Sequence, residues 1–256
     1  MLVVFSITSI AQYIGPKPII GNKDLKSFVK KHIDYPKAEL KSKKQGTVII
    51  DFQTDITGEV INYHVKEGVS HGIDSAAINL FRMILWNPAT DNRKAAVGKS
   101  EFEVTYNIKS YNKITKRRGY GTITYPHIPI DTSYKIYSIK QLEVIPRPIF
   151  SDNSKTLSEY VYKNLTYPEA ASKLALEGDV EIMFIIETSG LPSNIIPVSH
   201  LGGGCTEEAI RIIESISWIP GIIAGKSVRT KFQMKIKFQK GEGQDGYIPN
   251  QQGSGI

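Results

Sequence analysis

The sequence predicts an α+β fold written twice: two tandem small domains, each a three-stranded antiparallel sheet with two helices on one face. Three observations carry that expectation. Sliding the chain by 132 positions lays Tyr35-Pro36 on Tyr167-Pro168, Gly46 on Gly178, Phe52 on Phe184, Gly58 on Gly190, Trp86 on Trp218 and Pro88 on Pro220, without a gap. Near the end of each copy, apolar and polar residues alternate at the period of a half-buried strand, and upstream of that they recur at the period of a helix. The repeated residues are turn glycines, prolines and strand hydrophobics, types that record a fold rather than a reaction. Two copies are too few for a solenoid, so the 256 residues read as two domains.

The expected order is a leader over 1–11, a first domain over 16–109, a linker over 110–145, a second domain over 146–240 and a disordered tail over 241–256. Leu2 to Ile10 is almost wholly apolar, and Ser9-Ile10-Ala11 places small residues where a signal peptidase reads. The run is shorter than the roughly 20 residues a bilayer demands. It reads as a secretory signal peptide cut near Ala11, with its charged leading region missing, as if the true start lay upstream. The single cysteine, Cys205, excludes an internal disulfide and reads as a small buried residue.

Each domain opens on an extended lead-in, Pro16-Lys17-Pro18-Ile19 and Pro146-Arg147-Pro148-Ile149, because a residue before proline avoids the helical region. An amphipathic helix follows, with Leu25, Phe28, Val29 and Ile33 on one stripe and Leu157, Tyr160, Val161 and Leu165 on its copy. Tyr-Pro stops that helix, and a short helical turn is expected behind it. Val48, Ile50 and Phe52, and Val180, Ile182 and Phe184, then alternate along a strand. Gly58 and Gly190 supply the hairpin turns. The returning strand of the second copy carries Pro192 and Pro197, which cannot donate to a ladder and so mark a sheet edge.

Ile73, Ala77, Leu80, Phe81 and Ile84 form the next helical stripe, and Ala209, Ile210, Ile213 and Ile216 its copy. Asp74 and Thr206 are the expected N-caps. Trp86 and Trp218 anchor the helix ends, and Pro88 and Pro220 prevent continuation. The last strands alternate most clearly. Phe102, Val104 and Tyr106 face inward against Glu101, Glu103 and Thr105. Val228, Thr230, Phe232, Met234 and Ile236 face inward against Arg229, Lys231, Gln233, Lys235 and Lys237. The stretch between the domains carries several tyrosines and is too long for an ordinary loop; whether it adds a strand to one domain stays open.

The residues offer little to an enzyme. Gly98-Lys99-Ser100 and Gly225-Lys226-Ser227 imitate the end of a P-loop, but the earlier glycine of that motif is replaced by Arg93 and Pro220. The five histidines lack metal-ligand spacing. No Ser-His-Asp order recurs. No catalytic residue, cofactor or metal is expected. The net charge of +7 is scattered, apart from Lys41 to Lys44 and Lys116 to Arg118, and no nucleic-acid motif accompanies those clusters. They read as solvated turns.

The order of features is a Tyr-Pro pair with an alanine close behind, a Gly-x-Val strand opening, a hairpin glycine, a helix ending in Trp-x-Pro, and Gly-Lys-Ser before an alternating strand. That order, found twice, resembles the C-terminal domain of TonB, over roughly 20–108 and 150–238. The resemblance implies a periplasmic, protein-binding module whose last strand accepts an extended segment of an outer-membrane transporter by strand addition, with Tyr-Pro near the partner. The implied partner residues are Tyr35, Pro36, Glu101, Glu103 and Thr105 in the first copy. In the second they are Tyr167, Pro168, Arg229, Lys231, Gln233 and Lys235. Because their outward charges differ in sign, the two edges are expected to choose different partners, the second preferring an acidic strand. The alternative readings are a structural scaffold of the envelope without energy coupling, and a membrane-anchored energy transducer if the chain begins upstream of Met1. Nucleic acid is not an expected partner, and membrane contact is expected only through partners or an unprocessed N-terminus.

Overall fold

The structure, a computed structural model, describes residues 13–118 and 128–239. The expected leader and tail lie outside the described residues. The chain divides into two compact units, Met1–Thr122 and Ile123–Ile256, each α+β.

Unit 1 runs α1 (Gly21–His32), α2 (Lys37–Lys41), β1 (Gly46–Thr54), β2 (Val60–Glu67), α3 (His71–Met83), β3 (Gly98–Tyr106) and α4 (Ile108–Arg118). Its sheet has the order β2-β1-β3, antiparallel throughout. The alternation in β1 and β3 turns Val48, Ile50, Phe52, Phe102 and Val104 to one face, where Ile73, Ala77, Leu80 and Phe81 of α3 and Phe28 of α1 close the core.

Unit 2 repeats this kernel and widens it. Its elements are β4 (Ile136–Ser138), α5 (Leu157–Asn164), α6 (Glu169–Lys173), β5 (Gly178–Ile186), β6 (Pro192–Pro197), α7 (Cys205–Ser215) and β7 (Lys226–Phe238). The order β6-β5-β7 matches unit 1, with proline-bearing β6 at the edge. Gly221–Ile223 pairs with the start of β7 as Ala89–Asp91 pairs with Lys94–Ala96 in unit 1, and the added strand is β4, on the side of β7 away from β5. Val180, Ile182, Phe184, Ile212, Ile213, Ile236 and Phe238 are fully buried. Cys205 lies in the same core, and burial pushes its thiol pKa up.

Three contacts recur in the two units. The hydroxyl of Tyr35 donates to the carbonyl of Lys44, and that of Tyr167 to the carbonyl of Leu176. Lys17–Pro18 pairs with Trp86–Asn87, and Arg147–Ile149 with Ser217–Ile219, so each lead-in is a strand held against the Trp-x-Pro segment. Gly58 and Gly190 have φ of 91° and 78°, and a Cβ on either would stand 2.1 Å from the carbonyl oxygen of Trp86 or Trp218. Both backbone conformation and space demand glycine there.

Two helix starts differ from expectation. α3 is capped by Ser70, whose side chain accepts from the amide of Ile73, while Asp74 instead accepts from Val69 at 2.8 Å and ties down the preceding loop. α7 opens from Gly204 in the left-handed region (φ 90°). Thr206 is already inside the helix, exchanging hydrogen bonds of 3.0 and 2.9 Å with the backbone of Leu201. The glycine run before Cys205 lets the chain turn into the helix two residues sooner than a threonine cap would. The stretch between the units is not a bare connection. Its start is α4, whose Tyr111 is buried against Tyr35 at 5.2 Å. Its later part is built onto the sheet of unit 2 through β4.

Candidate strand-pairing edges

In unit 1, β3 pairs with β1 from Gly98 opposite Thr54 to Tyr106 opposite Gly46. Among the described residues no strand pairs with its other side. Beside that side lies a groove of about 370 Å³, walled by Pro16, Pro18, Leu25 and Trp86 and by every residue from Ser100 to Glu103. Successive strand residues point to opposite faces of a sheet, so a groove that touches all of them runs along the strand's edge and not over one face. The lead-in therefore forms one wall of a channel whose other wall is an open ladder. Glu101 takes part in an ion pair with Lys66 at 2.5 Å, and that hydrogen bond and charge hold its carboxyl below the usual range. Glu103 is exposed and has no ion-pair partner among the described residues. The hydroxyls of Thr105 and Thr47 meet across the ladder at 2.9 Å.

The corresponding edge of unit 2 is partly filled. β5 occupies one side of β7 over Thr230–Phe238, and β4 lies parallel on the other, with Ile136 opposite Arg229, Tyr137 opposite Thr230 and Ser138 opposite Lys231. A further parallel bridge joins Ile130 to Ser227. From Phe232 to Phe238 no strand covers the outer side of β7 among the described residues.

Arg229, expected on the wet face, is 3% exposed. Its Nε and Nη2 donate to the two carboxylate oxygens of Glu187, each at 2.8 Å, and its Nη1 donates to the carbonyl of Tyr134 at 3.0 Å. The Tyr134 ring lies 5.9 Å from the guanidinium. Ser193 donates to Glu187, and Asn194 to Ser193 at 2.9 Å. A guanidinium stays charged, so burial requires this set of acceptors. The arginine has the outward parity that the alternation assigns; residues 128–138 cover it. Lys231, Gln233 and Lys235 do reach the surface. Gln233 donates to Glu181 at 2.8 Å and the Lys235 amine lies 3.7 Å from Asp179, so acids of β5 offset much of that positive face.

Tyr35 is fully buried and Tyr167 partly so, and burial pushes both phenols' pKa up. They pack edge-on against the last residue of the last strand, Tyr106 at 5.4 Å and Phe238 at 5.9 Å. Pro36 and Pro168 stand at the N-caps of α2 and α6 and keep some exposure. Both tyrosines thus buttress the end of the strand from the core side.

On the wet face of unit 1, a hollow of about 360 Å³ is lined by Asp51, Gln53, Asn62, His64, Lys99 and Glu101, among others. His64 lies 3.8 Å from Asp51. No group of side chains suited to a metal ion occurs among the described residues. What the arrangement offers is backbone hydrogen bonding at a sheet edge. The filling of one edge escaped the sequence, although a signal was there: Glu187 and Arg229 face each other at the end of a ladder whose inner neighbours are apolar.

None of the curated proteins matches the chain. The family model described as Gram-negative bacterial TonB protein C-terminal matches residues 31–108 and again 163–239. The first match holds β1, β2, α3 and β3, and the second holds β5, β6, α7 and β7. Domains of this family are typically periplasmic, mediate protein–protein interactions and are not enzymes. Matched twice and over more than half its length, the chain belongs to the TonB C-terminal family.

Proposed function

We propose that the protein is a periplasmic binding module that takes extended segments of envelope proteins as an added strand, in the service of TonB-dependent outer-membrane transport. The observation that carries this reading is the open side of β3 with its channel of about 370 Å³. Strand addition draws affinity from main-chain hydrogen bonds and specificity from alternate side chains. Glu103, unpaired and outward, favours an occupant with a basic residue on that face. No helix among the described residues is long and apolar enough to cross a membrane, and membrane contact in this reading is made through the partner.

Cross-linking in intact cells from a photoreactive residue at Glu103 tests it. Capture of an outer-membrane β-barrel transporter is the expected result. Capture of other envelope proteins alone, or of a second copy of the chain, would replace transport by scaffolding. Capture of nothing would overturn strand addition at this edge.

A further inference from the structure

The filled edge of unit 2 is occupied by the protein's own chain, in the place where the proposed function puts a partner. We propose that residues 128–138 are a built-in pseudo-ligand, which closes the N-terminal half of the unit 2 edge to added strands until it is displaced. Among the described residues unit 1 then presents the open edge and unit 2 the guarded one. The inference rests on the strand-addition reading for its meaning, but its geometry stands alone.

The segment is held as a ligand would be held. The amide of Asp131 donates to the carbonyl of Ser227 and the amide of Ser227 to the carbonyl of Pro129, both at 2.8 Å. Next, the Tyr134 carbonyl accepts from Arg229, and Ile136–Ser138 completes the parallel ladder. Its own turn is pre-formed: the Asp131 carboxylate accepts from the amide and hydroxyl of Ser133 at 2.9 and 2.7 Å. Beyond the ladder, Gln141 accepts from the Ser138 amide at 2.8 Å, and Val144 pairs with Ile222 on the far side of the Gly221–Ile223 strand. The segment is thus fixed at both ends and laid along β7 between them.

The anchor is specific to unit 2. At the same offset, unit 1 has Asp55 in place of Glu187 and Val97 in place of Arg229, and Val97 is 49% exposed. At that position unit 1 therefore offers no guanidinium to a backbone acceptor. A strand of only three residues is weak by itself. Being tethered, it acts at an effective concentration of order millimolar, enough to exclude weak competitors while remaining exchangeable. A segment that displaces it must run in the same direction and supply a carbonyl over Arg229, which any extended backbone can do.

A fluorescent synthetic peptide with the sequence of residues 128–141 serves as the probe, titrated into the full chain by anisotropy. Amides of successive strand residues face opposite sides, so the double variant Ile136→Pro with Tyr137→Pro removes the one of the two that faces β7, breaks the short strand and releases the segment. It is expected to bind the peptide at least about 100-fold more tightly than the unaltered chain. A disulfide between cysteines at Ser138→Cys and Lys231→Cys, which face each other across the ladder, locks the segment and is expected to abolish binding. Equal binding by the released and unaltered chains, or none by the released chain, would overturn the proposal. Hydrogen exchange on the unaltered protein gives an independent check against misfolding of the variants: amides of 136–138 exchanging at free-chain rates would also overturn it. Cross-linking from Glu103 probes unit 1 alone, so its failure would leave the peptide result standing.

Discussion

Unit 1 and unit 2 share a kernel almost contact for contact, yet among the described residues only unit 2 carries a strand against the start of its last strand's outer side. In both, a tyrosine hydroxyl closes onto a carbonyl nine residues on, and a hairpin glycine sits on a tryptophan carbonyl. At two corresponding positions they part: Asp55 and Val97 in one, Glu187 and Arg229 in the other. With Asp55 and Val97, no strand among the described residues lies on the outer side of the last strand. With Glu187 and Arg229 a buried ion pair forms, and its remaining donor recruits the backbone of another segment. The two units share the core, whereas this pair outside it belongs to unit 2 alone.

The strongest way to break the comparison is to remove one partner of that pair. Glu187→Ala strands a buried guanidinium and is expected to destabilise unit 2 by about 3–5 kcal/mol, with unit 1 unchanged. Two separate transitions in thermal unfolding would show this. A single transition shifted as a whole would mean that the two units do not respond separately. Replacing both partners by Met is expected to restore most of the stability while loosening residues 128–138, because shape-matched apolar pairs tolerate burial well.

A second test treats the copies as equals. Gly58→Ala and Gly190→Ala each force a side chain into a left-handed backbone against a peptide oxygen. Each is expected to cost upwards of about 3 kcal/mol in its own unit, measured by urea unfolding with Trp86 or Trp218 as the local reporter. A cost in one copy only would show that the two glycine seats are not equivalent.

The smallest effect lies in the hairpin turn. Asp55 accepts from the hydroxyl of Thr57 and from the amides of Thr57 and Glu59, and its carboxyl is held below 3.8, chiefly by the Thr57 side chain. A depressed carboxyl contributes its stability fully above the unfolded value, and loses it as pH falls through the lower folded value. Acidification below 3.8 should therefore speed amide exchange at Thr57 and Glu59.

The kernel was legible because its signals are local: period two in the last strands, helical stripes, and glycines where the chain must turn. Arg229 was misplaced because alternation assigns a face and says nothing of what covers it. The covering segment makes its main contact through a carbonyl, a group every residue has, so its sequence carries little trace of the role. Tyr35 and Tyr167, implied as partner residues, pack their rings on the core and spend their hydroxyls on the carbonyls of Lys44 and Leu176 in the loop after the short helix. The helix starts at Ser70 and Gly204 turned on backbone geometry that Asp74 and Thr206 could not reveal.

The seat of Gly58 on the Trp86 carbonyl, and of Gly190 on that of Trp218, also bears on ancestry. The hairpin turn cannot settle until chain that lies a full helix downstream has arrived beneath it. A stretch that ends before the tryptophan leaves the turn without its floor, and one that begins after the glycine leaves the tryptophan without its lid. A gene segment cut anywhere inside that span would encode nothing able to fold. Whatever event doubled this domain had to copy it whole, and the ungapped spacing between the two copies is what such an event leaves behind.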